Sequence, residues 1–527
     1  MTHKIEGTNS ALRNLATVIM LVCSAAVCSA QAGRGGISGL VADQTGAIVP
    51  GATVAAQDLA NGVKLSTVSS GAGLYSFVSL SPGTYQLTFQ MAGFEKVVVQ
   101  NIPVTVDQVT TANASLKVGN TSETVTVTET TSLVDTSNST VGQLISAETI
   151  DRVPLLTRNV FDLVQLSPGV TPANGTPNSS SSQTIASISS GRPGVDVSSY
   201  TINGAIIGSV YYMIDGSPIG IAENNAGAII PAMEIPEDGV DETRVETQNT
   251  PASYLSGGAG VISLVTKSGT NAFHGDGFGV FRPDVLASNE YFNKQSELQN
   301  GTANTPPSFY RYQEGGAFGG PIHKDKLFFF ADYEATQQQL YDGSNVFTVP
   351  TTAERNGDFS ADSFTIYDPT QPDNPDGTRQ AFAGNKITNP NPVALKFLSE
   401  FPKCNYPDPT TCDQGSDDVS ENFFKPGTDP TTAQRFDVRM DWDKSQMQRI
   451  FGRFSFDRLY SSLVNAYGNM WDLYFAQNVT NGRNVLLADD LTLNPTTVLQ
   501  LRYSFTRHYE NQGGDPAQIG YNITDLG

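Results

Sequence analysis

The second half of the chain alternates charged and apolar residues over segments of about ten residues. Residues 435–443 read RFDVRMDWD, and beyond the short connection 443–446 the pattern resumes from Arg449 to Asp457. Period-two alternation predicts β-strands, because successive side chains of a strand point to opposite faces. Apolar-out, polar-in strands of this length with aromatic ends are typical of transmembrane β-strands. A soluble β-sandwich or propeller is the alternative.

Seven segments of this kind are predicted as strands. They lie near residues 273–282, 309–319, 326–335, 434–443, 447–458, 485–494 and 497–509. Short turns alternate with long insertions, notably residues 340–430, as turns and loops do in outer-membrane barrels. Since every backbone amide needs a partner in lipid, strands of this kind can span a membrane only as a barrel.

The first 32 residues have the layout of a secretory signal peptide. Lys4 and Arg13 precede an apolar run at residues 15–27, and residues 30–32 (Ala-Gln-Ala) offer a cleavage site. The apolar run is shorter than the roughly 20 residues that a membrane-spanning helix requires, although a single-pass anchor is the alternative. The chain is therefore predicted to be exported.

Charge and cysteine content narrow the possible functions. The formal net charge is −21, which argues against nucleic acid as a partner because phosphates favour a basic surface. The four histidines are scattered, without an H-E-x-x-H motif or a phosphate loop, so we predict no catalytic residues, metal site or cofactor. After the signal peptide, Cys404 and Cys412 are the two cysteines of the chain. An oxidising compartment favours a disulfide between them over two free thiols.

Residues 36–118 contain short alternating strands separated by Gly/Pro turns, which predicts a small β-sandwich. The V-P-G-A-x-V and P-G-T-Y motifs in this segment resemble the carboxypeptidase regulatory-like domain, a transthyretin-like β-sandwich. Tyr75, Phe77 and Tyr85 are predicted to pack in its core, the alternative being stacking against a carbohydrate. No peptidase activity is implied, because the segment has no histidine and no zinc-ligand cluster.

Residues 132–268 carry several motifs in a fixed order. S-P-G-V at 167–170 ends an apolar segment with helical spacing, I-D-G-S-P follows at 214–218, and T-K-S-G-T-N at 266–271 precedes F-H-G. Together they resemble the plug domain and the plug-to-barrel junction of TonB-dependent outer-membrane receptors, specifically the Oar-like group. The resemblance implies a mainly β chain: an N-terminal transthyretin-like β-sandwich, an α+β plug and, over 272–527, part of a transmembrane antiparallel β-barrel.

The linker at residues 119–131 contains a polar, β-branched run without glycine or proline. Its members are Glu123, Thr124, Val125, Thr126, Val127 and Thr128. Such a run suits β-augmentation, in which a partner pairs with it as an added strand. It also resembles a TonB box, which implies a TonB-type energy-transducing protein as partner. The alternative is that it forms the last strand of the sandwich or the first strand of the plug.

Charged residues of the plug support two further expectations. Four cations are expected to contact the barrel: Arg152, Arg158, Arg244 and Lys267. Four acidic residues leave open either a cation site or a solvated acidic strand: Asp238, Asp241, Glu242 and Glu246.

The resemblance implies an outer-membrane protein, surrounded by membrane lipid, with its N-terminal domain in the periplasm. It also implies import of an extracellular ligand (a siderophore, carbohydrate or peptide) through the plugged barrel. An adhesin or assembly protein that does not transport is the alternative. We expect the chain to be a fragment of a longer protein, because a plugged barrel of this class has about 22 strands.

Overall fold

The computed structural model describes most of the chain beyond the predicted signal peptide. The described residues are 33–119, 124–128, 139–155, 157–172, 200–205, 209–223, 228–250, 254, 258–289, 291–299, 304–342, 346–413, 421–462, 467, 477–494, 497–513 and 524. The predicted signal peptide and Glu123 lie outside them. Within these residues, no helix combines the length and the apolar character needed to cross a membrane.

The N-terminal sandwich consists of two sheets. Its strands are β1 (Gly35–Asp43), β2 (Thr53–Asp58), β3 (Lys64–Val68), β4 (Leu74–Leu80), β5 (Gly83–Gln90), β6 (Lys96–Val104), β7 (Val109–Thr111), β8 (Ala114–Leu116) and β9 (Thr124–Thr128). One sheet has the order β4-β1-β7, with β8 also on β1, and the other has the order β3-β2-β5-β6-β9. Tyr75, Phe77 and Tyr85 are buried between the sheets, as predicted, because alternate residues of β4 and β5 point inward.

The run resembling a TonB box is the edge strand of the second sheet. β9 pairs in parallel with β6, from Lys96 opposite Thr124 to Gln100 opposite Thr128. This arrangement corresponds to the alternative in which the run is the last strand of the sandwich. Five Thr and Val residues have high β-propensity and complete the otherwise unpaired edge of β6.

The plug is built on a mixed five-stranded sheet. The strands of the whole plug are β10 (Val141–Ile145), β11 (Val170–Pro172), β12 (Tyr200–Ile202), β13 (Val210–Ile214), β14 (Ser217–Pro218), β15 (Gly220–Glu223), β16 (Ala228–Pro231), β17 (Val240–Gln248) and β18 (Gly260–Thr266). β11 with β12 and β15 with β16 form separate two-stranded sheets. The sheet order is β10-β17-β18-β13-β14, with β13 and β18 parallel. Every residue of β18 is buried, because both faces of this central strand are covered.

Short helices complete the plug. They are α1 (Ala147–Arg152) and the 3-10 helices Val160–Leu166 and Glu237–Gly239. The predicted helix before S-P-G-V is thus a 3-10 helix, followed by Gly169 at a φ of +84°. Val160, Phe161, Leu163 and Val164 of this helix are buried in the plug core.

The C-terminal half forms an antiparallel sheet of seven long strands. The strands of this region are β19 (His274–Pro283), β20 (Phe309–His323), β21 (Leu327–Asp342), β22 (Val346–Phe347), β23 (Phe423–Phe424), β24 (Gly427–Ser445), β25 (Gln448–Ser462), β26 (Gln477–Asn494) and β27 (Thr497–Gly513). Its helices are α2 (Tyr291–Gln299), α3 (Thr352–Arg355), α4 (Pro392–Ser399) and the 3-10 helices Asp284–Leu286 and Ala383–Asn385. The order β19-β20-β21-β24-β25-β26-β27 confirms all seven predicted strands.

The two faces of this sheet differ as the alternation predicts. On β24, Val438, Met440 and Trp442 are 40–45% exposed, whereas Asp437 and Arg439 are buried. The exposed face therefore suits lipid, and the polar face points toward the plug. We call the end of the sheet that carries the turns 324–326 and 446–447 the short-turn end. The described residues of the insertion between β21 and β24, 346–413 and 421–426, follow the opposite end of these strands.

Candidate functional site at the plug–barrel interface

Asp215 is the central anion of the interface between plug and barrel. It lies in the tight turn between β13 and β14, with a φ of +50° and 2% of its surface exposed. Its Oδ1 accepts a hydrogen bond from the Thr266 amide at 3.0 Å, and its Oδ2 accepts one from the Thr266 hydroxyl at 2.7 Å. On the barrel side, Arg439 Nη1 lies 3.3 Å from Oδ1 and Arg453 Nε lies 2.9 Å from Oδ2. One carboxylate thus joins two strands of the barrel to the plug.

The two arginines are neighbours on the polar face of the barrel sheet. Arg439 of β24 and Arg453 of β25 are register partners, and both are almost fully buried. Two barrel carboxylates share their charge: Asp441 Oδ2 lies 2.8 Å from Arg439 Nε, and Asp437 Oδ1 lies 3.5 Å from Arg453 Nη1. Because buried charges are tolerated only when they are paired, the cluster depends on the plug carboxylate for its balance.

Arg158 forms a second ionic contact between plug and barrel. Its Nε lies 3.1 Å from Glu334 Oε2 on β21, and its guanidinium lies 3.7 Å from the ring centre of Phe278 on β19. Two plug carboxylates also face it, Glu237 at 3.3 Å and Asp238 at 2.9 Å. Of the four cations expected at the barrel, the structure places Arg158 there.

The other three cations are placed differently. Their ion pairs lie within the plug: Arg152 with Glu148 at 2.9 Å, Arg244 with Glu246 at 3.1 Å, and Lys267 with Asp151 at 3.7 Å. The Arg152 side chain is 77% exposed. Arg244 neighbours Asp107 of the sandwich. A barrel contact of Arg152 and Arg244 stays a prediction, since the ion pairs described for them lie within the plug.

Sequence reasoning missed the residues that carry most of this interface. Asp215 belongs to the I-D-G-S-P motif, which was used to identify the plug but not as a contact. Arg439 and Arg453 were counted as polar-face residues of predicted strands without a partner. Asn484 on β26 donates to the Ser217 hydroxyl at 3.0 Å, adding a neutral contact beside the ionic ones. The arginines on the polar face of the predicted strands are the sequence signal for this interface, because a buried arginine requires an anion from another element.

Two acidic residues of β17 do not lie on a solvated face. Glu242 and Glu246 are buried, and Glu242 Oε1 accepts a hydrogen bond from the Val106 amide of the sandwich. Burial raises the pKa of Glu242 to about 8, and it raises the pKa of Asp107 in the facing sandwich loop to about 6. Among the described residues, no group of three His, Cys, Asp or Glu side chains is arranged to hold a metal ion. These carboxylates instead form the contact between plug and sandwich.

The insertion at the opposite end of the sheet contains its own tethers. Cys404 and Cys412 are joined by a disulfide. The Arg355 guanidinium at the end of α3 donates to the carbonyls of Leu398 at 2.6 Å and Pro402 at 2.7 Å, at and beyond the end of α4. The segment is therefore held by specific polar and covalent links.

Replacing both cysteines with serine is expected to destabilise this part of the insertion by about 2–3 kcal/mol, the chain-entropy value for so short a closed loop. Hydrogen exchange at 404–412 should accelerate, while exchange in the plug should stay unchanged. Mass spectrometry of a non-reduced digest of the wild-type protein should show the cross-linked peptide. Recovery of both cysteines as free thiols would contradict the disulfide.

Comparison with known proteins agrees with this architecture. Residues 265–527 match the outer membrane beta barrel domain family, and residues 36–117 match the carboxypeptidase regulatory-like domain. The TonB-dependent transporter Oar of Myxococcus xanthus is 25% identical over 278 residues, covering 51% of this chain and 23% of the relative. The chain therefore spans about a quarter of the length of that relative.

Two solved outer-membrane proteins are among those similar to this chain. The outer membrane transporter YddB from Escherichia coli has 14% identity and a TM-score of 0.41 over 70% of this chain and 39% of its own. A mutant of the ferric enterobactin receptor PfeA from Pseudomonas aeruginosa has 14% identity and a TM-score of 0.39 over 72% and 42%. With its regulatory-like sandwich, its outer-membrane barrel strands and its similarity to Oar, the chain belongs to the Oar-like TonB-dependent receptors of the outer membrane.

Proposed function

We propose that the protein to which this chain belongs binds an extracellular ligand and imports it through the barrel when an energy-transducing protein of the TonB type displaces the plug. The observation that carries the proposal is the ionic attachment of the plug through Asp215, Arg439 and Arg453. Siderophores, carbohydrates and peptides are all compatible ligands. Catalysis forms no part of the proposal.

An ionic and hydrogen-bonded interface suits a plug that must move. Water can replace a carboxylate as the partner of an arginine, whereas it cannot replace an apolar contact. The polar barrel face opposite the plug supplies such groups repeatedly, as Arg435 beside Glu234 of the plug also shows. The interface is therefore strong while it is dry and weakens once water enters.

β9 is the segment that best suits the partner. It is the last strand in the sheet order β3-β2-β5-β6-β9, and no other described strand pairs with its outer edge. β-augmentation requires such an edge, because the added strand binds mainly through backbone hydrogen bonds.

Replacing Val125 with proline is expected to abolish ligand uptake while binding at the cell surface is retained. Proline removes one backbone donor and disfavours pairing within a sheet. Val125→Ala, which keeps the amide, is the matched control and should import normally. Growth on the nutrient that a deletion strain fails to use provides the measurement. Normal uptake by Val125→Pro would contradict the assignment of β9 as the segment that the partner binds. A deletion strain that uses every nutrient as the wild type does would instead favour an adhesin or assembly role.

A further inference from the structure

We propose that the sandwich acts as a latch, which means that the plug cannot move while the sandwich is bound to it. We further propose that β9 is the handle, the strand that the energy-transducing partner binds in order to pull the sandwich away. While it is seated at the short-turn end of the barrel, the sandwich holds the Asp215–Gly216 turn against the barrel arginines. This inference rests on the proposed function and adds an obligatory first step, in which the sandwich leaves its seat before the plug moves.

The sandwich touches the Asp215–Gly216 turn directly. Gly33, the first residue after the predicted signal peptide, is tied to the sandwich by its nitrogen, which donates to Asp107 Oδ1 at 2.7 Å. A Cβ on Gly33 would lie 2.6 Å from the Asp215 carbonyl carbon and 2.6 Å from the Gly216 amide nitrogen. The backbones of the two domains are therefore in close contact at the residue whose carboxylate holds Arg439 and Arg453.

Further contacts seat the sandwich on the barrel. Arg34, which is 6% exposed, lies with its guanidinium 4.5 Å from the ring centre of Phe451 on β25 and with Nε 3.9 Å from Asp490 Oδ2 on β26. The Ser79 hydroxyl donates to the same Asp490 oxygen at 2.7 Å. Ser66 and Gln446 meet at 3.1 Å beside the β24–β25 turn. The sandwich thus bridges the plug and two hairpins of the barrel.

The seat has the character of a separable interface. A cleft of about 610 Å³ remains between the sandwich and two short turns, lined by residues that include Lys64, Lys326 and Lys444. A second cleft of about 280 Å³ adjoins it near Ser66 and Met447. Polar, incompletely packed contacts between domains favour relative motion over permanent association.

β9 is positioned so that a force on it reaches the sandwich. It is hydrogen-bonded along β6, a strand that also pairs with β5 in the middle of the same sheet. A partner strand that adds to the free edge of β9 would therefore pull on the sandwich as a body. The plug turn would be released when Gly33 and Arg34 withdraw with it.

The latch is tested by a pair of glycine variants in the full-length receptor. Gly33→Ala should push the sandwich off the turn and accelerate hydrogen exchange of the Asp215 and Thr266 amides at least tenfold. Gly46→Ala is the control, because Gly46 lies in an exposed turn of the sandwich and has no atom within 4 Å of its Cβ position. Exchange of core amides such as Val54 should be unchanged in both, which shows that the sandwich remains folded. Equal protection of the turn in Gly33→Ala and wild type would overturn the latch.

A cross-link tests the same step in the opposite direction. Joining Ser66→Cys to Gln446→Cys with a short bismaleimide fixes the sandwich in its seat. Exchange at Asp215 and Thr266 should slow at least threefold relative to the two single-cysteine proteins treated in the same way. Unchanged exchange would contradict the latch even if Gly33→Ala proved too unstable to purify.

The handle is tested with the periplasmic domain of the host's TonB as the probe. Gln100 and Thr128 are register partners in adjacent strands, which lie about 4.8 Å apart, so a cysteine pair at these positions can form a disulfide. If β9 is gripped while it stays on β6, the oxidised pair should bind the probe within twofold of the reduced pair. Loss of binding on oxidation would show that β9 must be stripped from β6 and would overturn the handle. Absence of binding to the wild-type receptor would instead contradict the proposed function, whereas the glycine and cross-link results do not depend on the probe.

Discussion

Replacing Asp215 with alanine should loosen the plug by about 3–5 kcal/mol, the cost of removing one partner from a buried ion pair. Arg439 and Arg453 would keep their positions on adjacent strands but would lose the carboxylate between them. Thr266 would lose the acceptor of both its amide and its hydroxyl. The plug should therefore unfold or leave the barrel at a urea concentration lower by roughly 1–3 M.

The measurement is urea-dependent hydrogen exchange of plug amides in the full-length receptor, with barrel amides as internal reference. Asp43→Ala is the control, since Asp43 is the partly exposed last residue of β1 and its carboxylate accepts hydrogen bonds from Thr45 and Ala47, far from the plug. Asp215→Asn, which retains hydrogen-bonding capacity without charge, should give an intermediate shift. A plug in Asp215→Ala that resists urea as the wild type does would show that the ionic cluster is not what holds it.

A second variant separates charge from packing. Adding Arg453→Met to Asp215→Ala removes one of the two arginines that have lost the Asp215 carboxylate and should recover part of the lost stability. Its failure to do so, together with a large effect of Asp215→Ala alone, would assign the loss to the Thr266 hydrogen bonds.

The strands of the barrel were predictable because their cause is local. A polar interior and an apolar exterior force alternation along each strand, so 435–443 indicates a strand by itself. The length of these strands does not follow from the local sequence. β24 runs from Gly427 to Ser445, well beyond the alternating segment 435–443. Its additional residues pair with β21, which itself extends to Asp342. Strand length is thus set by the neighbouring strand rather than by composition.

The site was less predictable because its contacts join distant parts of the chain. Asp215 and Arg439 are separated by 224 residues, and nothing around either one indicates the other. The β9 run illustrates the same limit, since a sequence rich in Thr and Val suits any free strand edge. Its place beside β6 follows from the sandwich topology, which leaves that edge open. Motif order identified the domains, whereas the docking of the domains determined which charges meet.

Seating of the sandwich on the plug is expected to weaken as the pH rises from about 5 to 9. Burial raises the pKa of Glu242 from 4.5 to about 8, and burial raises the pKa of Asp107 from 3.8 to about 6. Groups whose pKa is raised in the seated state favour it most when they are protonated. Their contribution is complete below the pKa values of the separated domains and is lost as the pH passes about 6 for Asp107 and about 8 for Glu242.

The groups around Glu242 set the direction of this effect. The sandwich presents the Val106 amide and the Asp107 carboxylate, and the plug presents Asp241, Arg244 and Glu246. The Val106 amide and Arg244 lower the pKa of Glu242, but burial and the carboxylates of Asp241 and Asp107 outweigh them. Between pH 6 and 8, seating of the sandwich is therefore linked to the binding of one proton by Glu242. The equilibrium constant for seating should fall by at most tenfold for each pH unit in this interval.

Pulsed electron paramagnetic resonance can follow this equilibrium with spin labels at Leu59 of the sandwich and Met447 of the barrel, both about half exposed. The short-distance population should fall as the pH rises from 6 to 9 in the wild type. Glu242→Gln cannot ionise, so its population should stay constant over that interval and change only near the pKa of Asp107. Glu148→Gln is the matched control, because Glu148 lies on the exposed face of α1, and it should behave as the wild type does. A pH response that persists unchanged in Glu242→Gln would assign the proton to another group and remove Glu242 from the seating equilibrium.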